Sequence, residues 1–222
     1  KVDIDNIVKI AVSNNHVLAL KQDGTLWSWG ANDKGQLGIG NYTNSTVPVQ
    51  VKNESGDGFI ENIKGISTAK SMSIALDNDG NVFTWGLNDY GQLCTGDKSN
   101  KKLPVKVTLI SNITKVEGGN KSVYAISDEG NLYAWGYNGY GQLGIGDTAN
   151  RIKPTKSNLQ KIKQIAANEY STIALTEDGE IYGAGYNTEG ELGLGYNQEK
   201  VLKWGKVKDP NGKDNITNAT QI

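Results

Sequence analysis

Short runs of apolar and β-branched residues recur along the chain, and turn residues separate them. The first three runs cover residues 7–12, 16–20 and 26–29, with Asn14-Asn15 and Asp23-Gly24 between them. An Asp-Gly pair favours a tight hairpin, because both central residues of such a turn adopt positive φ. No segment sustains a 3.6-residue apolar period, so the pattern predicts strands and no helices.

One block of this pattern is written four times. A strand followed by a glycine-rich loop occupies residues 26–40, 82–96 and 132–146, and a more divergent copy occupies 181–195. The glycines that end the four strands, Gly30, Gly86, Gly136 and Gly185, are 56, 50 and 49 residues apart. A period of about 50 residues is in the range of propeller blades. The longer first spacing comes from an insertion around residues 52–61, which is either a protruding contact or a longer turn.

The side chains of the repeated strand predict how the units pack. Large residues lie on one face of this strand, and a large residue is followed by a small one on the other face, so both faces are expected to be covered. Small sheets stacked face to face, as in propeller blades, fit this requirement. At the position before the final glycine the copies carry Trp29, Trp85, Trp135 and Ala184.

Each unit is predicted to contain four strands. A short strand surrounds Pro48, Pro104 or Pro154, and proline belongs at a strand start or on a sheet edge because it cannot donate to the ladder. We place this proline strand first in each unit, before an Ile-Lys-x-Ile strand, an Ala-Leu strand and a Trp-Gly strand. The predicted fold is therefore all-β, with about four blades of four antiparallel strands in one array over residues 1–222. The predicted repeat units are 7–46, 47–102, 103–152 and 153–200, and 201–222 is predicted to start a further repeat.

The repeated motif resembles a known family. The pattern Trp-Gly-x-Asn-x-x-Gly-Gln-Leu-Gly covers residues 29–38 and 135–144, and it covers 85–93 with Cys94 in place of the final glycine. It is similar to the regulator of chromosome condensation repeat, although the fourth copy departs from it with Ala184 and Glu191. The resemblance implies a seven-bladed propeller, of which these repeats form an arc, and about three further repeats. The residues that we assign to the structural motif are Trp29, Gly30, Gln36, Trp85, Gly86, Gln92, Trp135, Gly136 and Gln142.

Composition narrows the range of partners. The 222 residues carry a formal net charge of −1, from 23 basic and 24 acidic side chains. We therefore predict no nucleic-acid partner and, because no apolar run is long enough, no membrane insertion. The single cysteine, Cys94, excludes an internal disulfide. No signal peptide is visible, but the first residues read as the middle of a longer chain, so a leader could have been removed.

Candidate catalytic groups are few. His16 is the only histidine, and a structural residue at a strand start is a better interpretation of it than a catalytic base or a metal ligand. The run 77–81, Asp-Asn-Asp-Gly-Asn, lacks the register and the distal glutamate of a calcium loop, so a hairpin is the better interpretation. The Gly-x-Gly pieces, such as 38–40, do not open a helix, which argues against phosphate binding. We predict no enzyme activity, no metal and no cofactor.

Positions that differ between the copies are where a repeat scaffold can specialise, because packing does not dictate them. Two loop positions vary in this way, and tyrosine in an exposed loop is a common protein-contact residue. The alternative for Tyr90 and Tyr140 is that they only cover the neighbouring blade. The candidate binding residues are Lys70, Tyr90, Lys121, Tyr140, Glu169 and Tyr170.

These observations predict a non-catalytic interaction module that binds an unidentified protein through loops on one rim. The resemblance leaves two alternatives, a guanine-nucleotide exchange factor for a small GTPase and a secreted enzyme inhibitor of the same fold. Open blade ends also predict self-association through exposed strand edges. The Asn- and Lys-rich composition favours a bacterial source, with a secreted or cell-surface location ahead of a cytoplasmic one.

Overall fold

A computed structural model describes residues 4–222, and these residues form sixteen strands and no helix. No helix of the described chain could therefore cross a membrane. The strands are β1 (Ile7–Val12), β2 (His16–Lys21), β3 (Leu26–Gly30), β4 (Ser45–Gln50), β5 (Ile63–Ala69), β6 (Met72–Asp77), β7 (Val82–Gly86), β8 (Lys101–Lys106), β9 (Ile113–Gly118), β10 (Ser122–Ser127), β11 (Leu132–Gly136), β12 (Arg151–Lys156), β13 (Ile162–Ala167), β14 (Ser171–Thr176), β15 (Ile181–Asn187) and β16 (Gln198–Lys206).

The strands form four separate four-stranded sheets, each antiparallel and each made of four consecutive strands. The Asp-Gly or Glu-Gly turns join the second and third strands of each sheet, where Gly24 and its counterparts adopt positive φ. Buried apolar clusters lie between neighbouring sheets, so the sheets stack face to face as blades. The prediction of an all-β arc of four-stranded propeller blades is confirmed.

The position of the proline strand within the blade differs from the prediction. It pairs with the Trp-Gly strand that precedes it, as in Trp27 opposite Gln50 and Phe83 opposite Lys106, and it does not join the strands that follow. The reason is the compact glycine-rich loop, which returns the chain directly beside the strand it has just left. In the structure each blade therefore ends after the proline strand, whereas the repeat units predicted from the sequence end before it. Residues 201–206, which we predicted to start a further repeat, are the end of β16 in the fourth sheet.

Two of the joints between blades use the same contact. The Trp85 side chain is fully buried between the first and second sheets, and its indole Nε1 donates to the main-chain oxygen of Gln36 at 2.9 Å. The Trp135 indole donates to the main-chain oxygen of Gln92 at 2.9 Å in the next joint. A Cβ on Gly38 would lie 2.7 Å from the Trp85 Nε1, so the loop passes too close to the ring for a side chain there.

The joint between the third and fourth sheets has Ala184 in place of the tryptophan, and other residues replace it. The buried Tyr124 hydroxyl, which comes from the third sheet itself, donates to the main-chain oxygen of Gln142 at 2.9 Å. It also lies 2.7 Å from the Thr172 hydroxyl of the fourth sheet. Trp204 packs against Gly144 on the same side. The Gln142 carbonyl, whose counterparts accept a tryptophan N–H in the other two joints, is therefore still hydrogen-bonded.

The insertion at residues 52–61 forms a closed turn. Lys52 pairs with Phe59, and the Asn53 side chain accepts hydrogen bonds from the main-chain nitrogens inside the turn. Ile60 is buried against the joint of the first two sheets, whereas Phe59 is half exposed. Through Ile60, the insertion therefore contributes to the apolar cluster between the first and second sheets.

His16 is a buried structural residue of the same joint. Its Nε2 lies 2.8 Å from the Ser73 hydroxyl of the second sheet, and its Nδ1 lies 2.7 Å from the Ser13 hydroxyl. Ser73 donates its own proton to the main-chain oxygen of Gln36, so the arrangement fits a neutral ring protonated on Nε2. Burial lowers the pKa of His16 to about 4.

This depressed pKa predicts a loss of stability in mild acid. Between the unfolded pKa of about 6.5 and the folded value, the unfolded chain binds a proton that folded His16 does not, so stability falls as the pH falls. Going from pH 7 to pH 5, we expect His16 to remove about 2 kcal/mol of unfolding free energy. His16→Ser introduces the residue that two other copies carry here, as Ser122 and Ser171, and it should lack this component. Urea unfolding of both proteins at the two pH values measures it, and equal pH dependence would contradict it.

Candidate functional site

Two sets of loops leave the blades at one edge of the array. The second strand of each sheet begins opposite the glycine that ends the third strand, as in Met72 opposite Gly86. The hairpin loops before the second strands and the glycine-rich loops after the third strands therefore lie side by side. We call this edge the motif rim. Its glycine-rich loops span residues 31–44, 87–100, 137–150 and 188–197.

A buried asparagine holds each glycine-rich loop in shape. In the third blade the Asn138 Nδ2 donates to the main-chain oxygens of Asp147 and Ala149, at 2.8 and 3.2 Å. Its Oδ1 accepts the main-chain N–H of Leu143 at 3.0 Å. Four residues further along the motif, the Gln142 Oε1 accepts the main-chain N–H of Tyr140. Each copy has such an asparagine, fully buried: Asn32, Asn88, Asn138 and Asn187.

The glycine before each loop allows the two sets of loops to touch. Gly86 has a φ of 101°, and a Cβ at this position would lie 2.4 Å from the main-chain oxygen of Ser71 in the hairpin loop. Only glycine fits both the conformation and the space. Side chains of the two loop sets are consequently brought within contact distance on the rim.

The first group of contacts joins the second and third blades. Tyr90 and Tyr137 meet edge to face with their ring centroids 4.9 Å apart. The Lys121 Nζ lies over both rings, 5.1 Å from the Tyr90 centroid and 5.7 Å from the Tyr137 centroid. A cation over an aromatic face is attracted to the ring quadrupole, so this lysine holds the pair together.

The second group joins the third and fourth blades. Tyr140 contacts Tyr170 and Tyr186, with centroid distances of 4.7 and 5.4 Å. The Lys200 Nζ lies 5.3 Å from the Tyr140 centroid. An open groove beside Tyr140 and Tyr186 is also lined by Thr188, by polar side chains at 197–198 and by Glu199. We call the two groups together the tyrosine rim, which consists of Tyr90, Tyr137, Tyr140, Tyr170 and Tyr186 with Lys121 and Lys200.

Two tyrosine hydroxyls of this surface have a raised pKa. Burial, followed by the neighbouring Tyr140, Tyr90 and Glu169, raises the pKa of the Tyr137 hydroxyl. Hydrogen bonding to the Glu169 carboxylate, together with its charge, raises the pKa of Tyr170. At neutral pH the Tyr137 and Tyr170 hydroxyls are therefore neutral donors.

The six candidate binding residues fall into two places. Tyr90, Lys121, Tyr140 and Tyr170 are in the tyrosine rim, and the two tyrosines of the glycine-rich loops contact the neighbouring blade while remaining partly exposed. Lys70 lies apart from them on a shallow opening nearer the inner strands, which Glu169 also lines from its place beside Tyr170. Each of these two is the inner residue of its hairpin loop.

Three residues of the tyrosine rim were missed in the sequence. Tyr137 and Tyr186 follow the strand-ending glycine in their copies, where the other two copies have Ala31 and Leu87. Comparing this position between copies would have found both. Lys200 has no such signal, because it lies on β16, whose sequence has diverged from the other proline strands.

The described residues offer little for metal or redox chemistry. Residues 4–222 contain no group of three or more His, Cys, Asp or Glu side chains placed to hold a metal ion. Cys94 is half-buried, and burial raises the pKa of its thiol to about 11, which keeps it in the unreactive thiol form.

A family model described as the RCC1-like domain matches residues 1–221. The chain belongs to the RCC1-like domain family. Two curated relatives match about half of it. The chain is 34% identical over 102 residues to the ultraviolet-B receptor UVR8 of Arabidopsis thaliana, covering 46% of this chain and 22% of the receptor. It is 36% identical over 107 residues to an RCC2 homolog of Xenopus laevis, covering 47% of this chain and 20% of that protein.

Solved structures of RCC1-like proteins share the fold. Prp20p of Saccharomyces cerevisiae superposes with a TM-score of 0.82 at 24% identity, covering 95% of this chain and 53% of that one. Human WBSCR16 gives a TM-score of 0.82 at 24% identity, covering 94% and 55%. The chain thus spans about half the length of these solved structures.

Proposed function

We propose that this RCC1-like chain is a non-catalytic interaction module that binds a protein partner through the tyrosine rim. The observation that carries the proposal is the pair of aromatic groups on the loops of the last three blades, each of which has a lysine over a tyrosine ring. Tyrosine is enriched at interface hot spots, because it offers a large, rigid contact area together with a hydroxyl donor.

The contacts within the rim support a preorganised surface. Tyr140 is braced by Tyr170 and Tyr186, and the loop below it is fixed by the buried Asn138. Side chains that are already ordered lose little rotamer entropy on binding, which favours affinity. Lys121 and Lys200 add positive charge, whereas Glu169 and Glu199 add negative charge nearby. The expected partner surface is therefore mixed in charge, and nothing in this arrangement favours the uniform negative charge of a nucleic acid.

Guanine-nucleotide exchange on a small GTPase is the second candidate. Prp20p was studied for its binding to Gsp1p and histones, and this chain shares the Prp20p fold over about half of that protein. Nucleotide release from candidate GTPases, measured with and without the chain, tests this function. Faster nucleotide release in the presence of the chain would replace the proposal of a non-catalytic module. The remaining alternative, a secreted enzyme inhibitor of the same fold, is tested by adding the chain to secreted hydrolases and measuring their loss of activity. The bacterial source and the secreted or cell-surface location remain predictions from composition.

Removing two tyrosines should abolish most of the binding. We expect Tyr140→Ser with Tyr170→Ser to weaken the complex by about 30-fold or more, since one hot-spot residue contributes about 2 kcal/mol or more and the losses at neighbouring hot spots do not simply add. The partner is first captured from an extract of the source organism and identified. Binding is then measured by calorimetry with the purified partner.

A matched control is available in the first blade. Tyr42 is half exposed and has a lysine, Lys102, over its ring, but it lies outside the tyrosine rim. Tyr42→Ser should leave the affinity unchanged. If the control and the double variant weaken binding equally, the tyrosine rim is not the binding surface.

A further inference from the structure

A cavity of about 370 Å³ lies between the first strands of the four blades, β1, β5, β9 and β13, which contact one another in that order. Its volume is in the range of small-molecule sites, about 300–1,000 Å³. The cavity lies at the end of these strands that is opposite to the tyrosine rim, where Lys115 of β9 pairs with Ile126 close to the Glu-Gly turn. Nothing in the proposed function uses it.

The floor of the cavity is apolar and belongs to two internal joints. Leu76 and Val116 come from the apolar cluster between the second and third sheets. Ile126 and Ile165 come from the cluster between the third and fourth sheets. The floor is therefore built by blades that have a neighbour on each of these sides.

A glycine that the fold does not require leaves the space for this cavity. Gly65 occupies the third position of β5, and the other first strands carry Lys9, Lys115 and Gln164 there with the same bulge. The φ of Gly65 is not positive, and a Cβ would lie 3.4 Å from the Leu76 Cβ, which is an ordinary van der Waals contact. Glycine inside a strand weakens it and often marks a close approach of a ligand to the backbone. The space beside Gly65, rather than the backbone, therefore explains this residue best.

Each first strand contributes one lysine at its second or third position: Lys9, Lys64, Lys115 and Lys163. The first three line the cavity. The Lys115 Nζ donates to the main-chain oxygen of Lys163 at 2.5 Å, so its side chain extends across to the fourth blade. Among residues 4–222, none of the three lining lysines forms an ion pair with a carboxylate. Their positive charge is thus available to a ligand.

One carboxylate, Glu117, faces the same cavity. Burial raises the pKa of Glu117, and the positive charge of Lys9 acts against this. Lys9 belongs to the first blade and Glu117 to the third, so the two groups interact across the second blade, where Gly65 has no side chain. The other polar side chains of the lining, Thr114 and Gln164, are neutral.

These groups define the chemistry of the occupant. Three ammonium groups against one carboxylate leave an excess of two positive charges above an apolar floor. A lysine ammonium binds phosphate as a point charge, whereas carboxylates are held best by the planar fork of arginine. Because the lysines come from three blades, they suit a ligand with more than one phosphate group. The carboxylate and the neutral polar groups suit the hydroxyls of the same ligand.

We propose that the cavity at Gly65 binds a small organic bisphosphate that also carries hydroxyl groups. Lys9, Lys64 and Lys115 hold its phosphates, the apolar floor supports its carbon body, and Glu117 accepts from a hydroxyl. A soluble sugar bisphosphate and a phosphorylated lipid headgroup share this chemistry, and the experiment below separates the two sources.

Isothermal titration calorimetry of the 222-residue chain with fructose bisphosphate tests the proposal. We expect binding that weakens as salt is added, because the three lysines are exposed and their charge is screened. Pyrophosphate offers the charge without a carbon body or hydroxyls, and it should bind about tenfold more weakly.

Two kinds of variant separate the cavity from its charge. Gly65→Gln introduces the residue that the fourth blade carries at this position, so the chain should fold normally while the new side chain fills the cavity. We expect it to weaken fructose bisphosphate binding by about tenfold or more, and Lys9→Gln with Lys115→Gln to do the same. Lys98→Gln removes an exposed lysine from a glycine-rich loop, outside the cavity, and should leave the affinity unchanged. The circular dichroism spectrum of each variant checks that the fold is kept.

The outcomes decide the proposal as follows. It is overturned if fructose bisphosphate does not bind at about millimolar concentration, or if either Gly65→Gln or the double lysine variant binds it like the unaltered chain. Phosphatidylcholine vesicles that contain a phosphorylated phosphatidylinositol provide the lipid headgroup. Cosedimentation with these vesicles without binding of the soluble bisphosphate would assign the lysines to a lipid surface and would also overturn it.

Discussion

Trp135→Ser is expected to lower the free energy of unfolding by about 3–5 kcal/mol. The Trp135 side chain is fully buried in the apolar cluster between the second and third blades, which includes Met72 and Val123. The substitution leaves a large cavity and also removes the indole donor from the main-chain oxygen of Gln92. Both the lost burial and the unsatisfied carbonyl act in the same direction. Guanidinium unfolding followed by circular dichroism measures the effect.

The shape of the transition is part of this prediction. In a repeat array each blade is stabilised mainly by its neighbours, so weakening one joint reduces the coupling across it. We expect the Trp135→Ser transition to broaden or split, because the first two blades can then unfold apart from the last two. Trp29→Ser is the matched comparison, since it changes the same position of the repeat where the ring is half-buried. A loss at Trp29 as large as that at Trp135 would show that burial in the joint is not the cause.

The sequence predicted the repeat and the blade but not the partner of every strand. The Trp-Gly motif and the Asp-Gly turns have local signals, so the three strands around them could be placed directly. The proline strand had two open edges available, that of the preceding Trp-Gly strand and that of the following Ile-Lys-x-Ile strand. Its pairing with the former depends on the fold of the loop between 30 and 45, which the hydrophobic pattern does not encode.

The joint at Ala184 shows a second limit of sequence reasoning. Comparing copies showed that the tryptophan is missing, and it also shows that Tyr124 stands where the other copies have leucine or isoleucine. Linking the two facts requires knowing that Tyr124 faces the fourth blade from the third. A compensation across two blades is a tertiary property, so aligning the repeats alone could not reveal it.

The tyrosine rim was predicted in part for the same reason. Tyr90, Tyr140 and Tyr170 were found as variable loop positions, because variation between copies marks freedom from packing. Their grouping into contacting pairs depends on two loop sets meeting at the strand-ending glycines, such as Gly86. The assignment of the rim as a binding surface remains a proposal.

Asn138→Ala is the second substitution with a large expected effect, a loss of about 3–5 kcal/mol of unfolding free energy. Alanine leaves the Leu143 N–H and the oxygens of Asp147 and Ala149 without the partner that Asn138 gives them. Leu143 and Ile145 anchor the middle of this loop in the apolar cluster between the third and fourth blades, and the segments on either side of them depend on the hydrogen bonds of Asn138. We expect the loop at residues 137–150 to become locally mobile. Hydrogen exchange of its main-chain amides should rise well above that of β10 and β11.

Asn138→Ala is also expected to affect partner binding, because Tyr137 and Tyr140 of the tyrosine rim both belong to this loop. If the tyrosine rim binds as a preorganised surface, the variant should lose affinity although neither tyrosine is altered, since ordering the loop then opposes binding. Asn78→Ala is the control, because Asn78 is exposed in a hairpin turn and its loss should cost about 0.5 kcal/mol or less. Full amide protection of residues 137–150 in Asn138→Ala would show that the loop is held by other contacts. Full affinity in a variant whose loop is demonstrably mobile would instead separate the binding surface from the tyrosine rim.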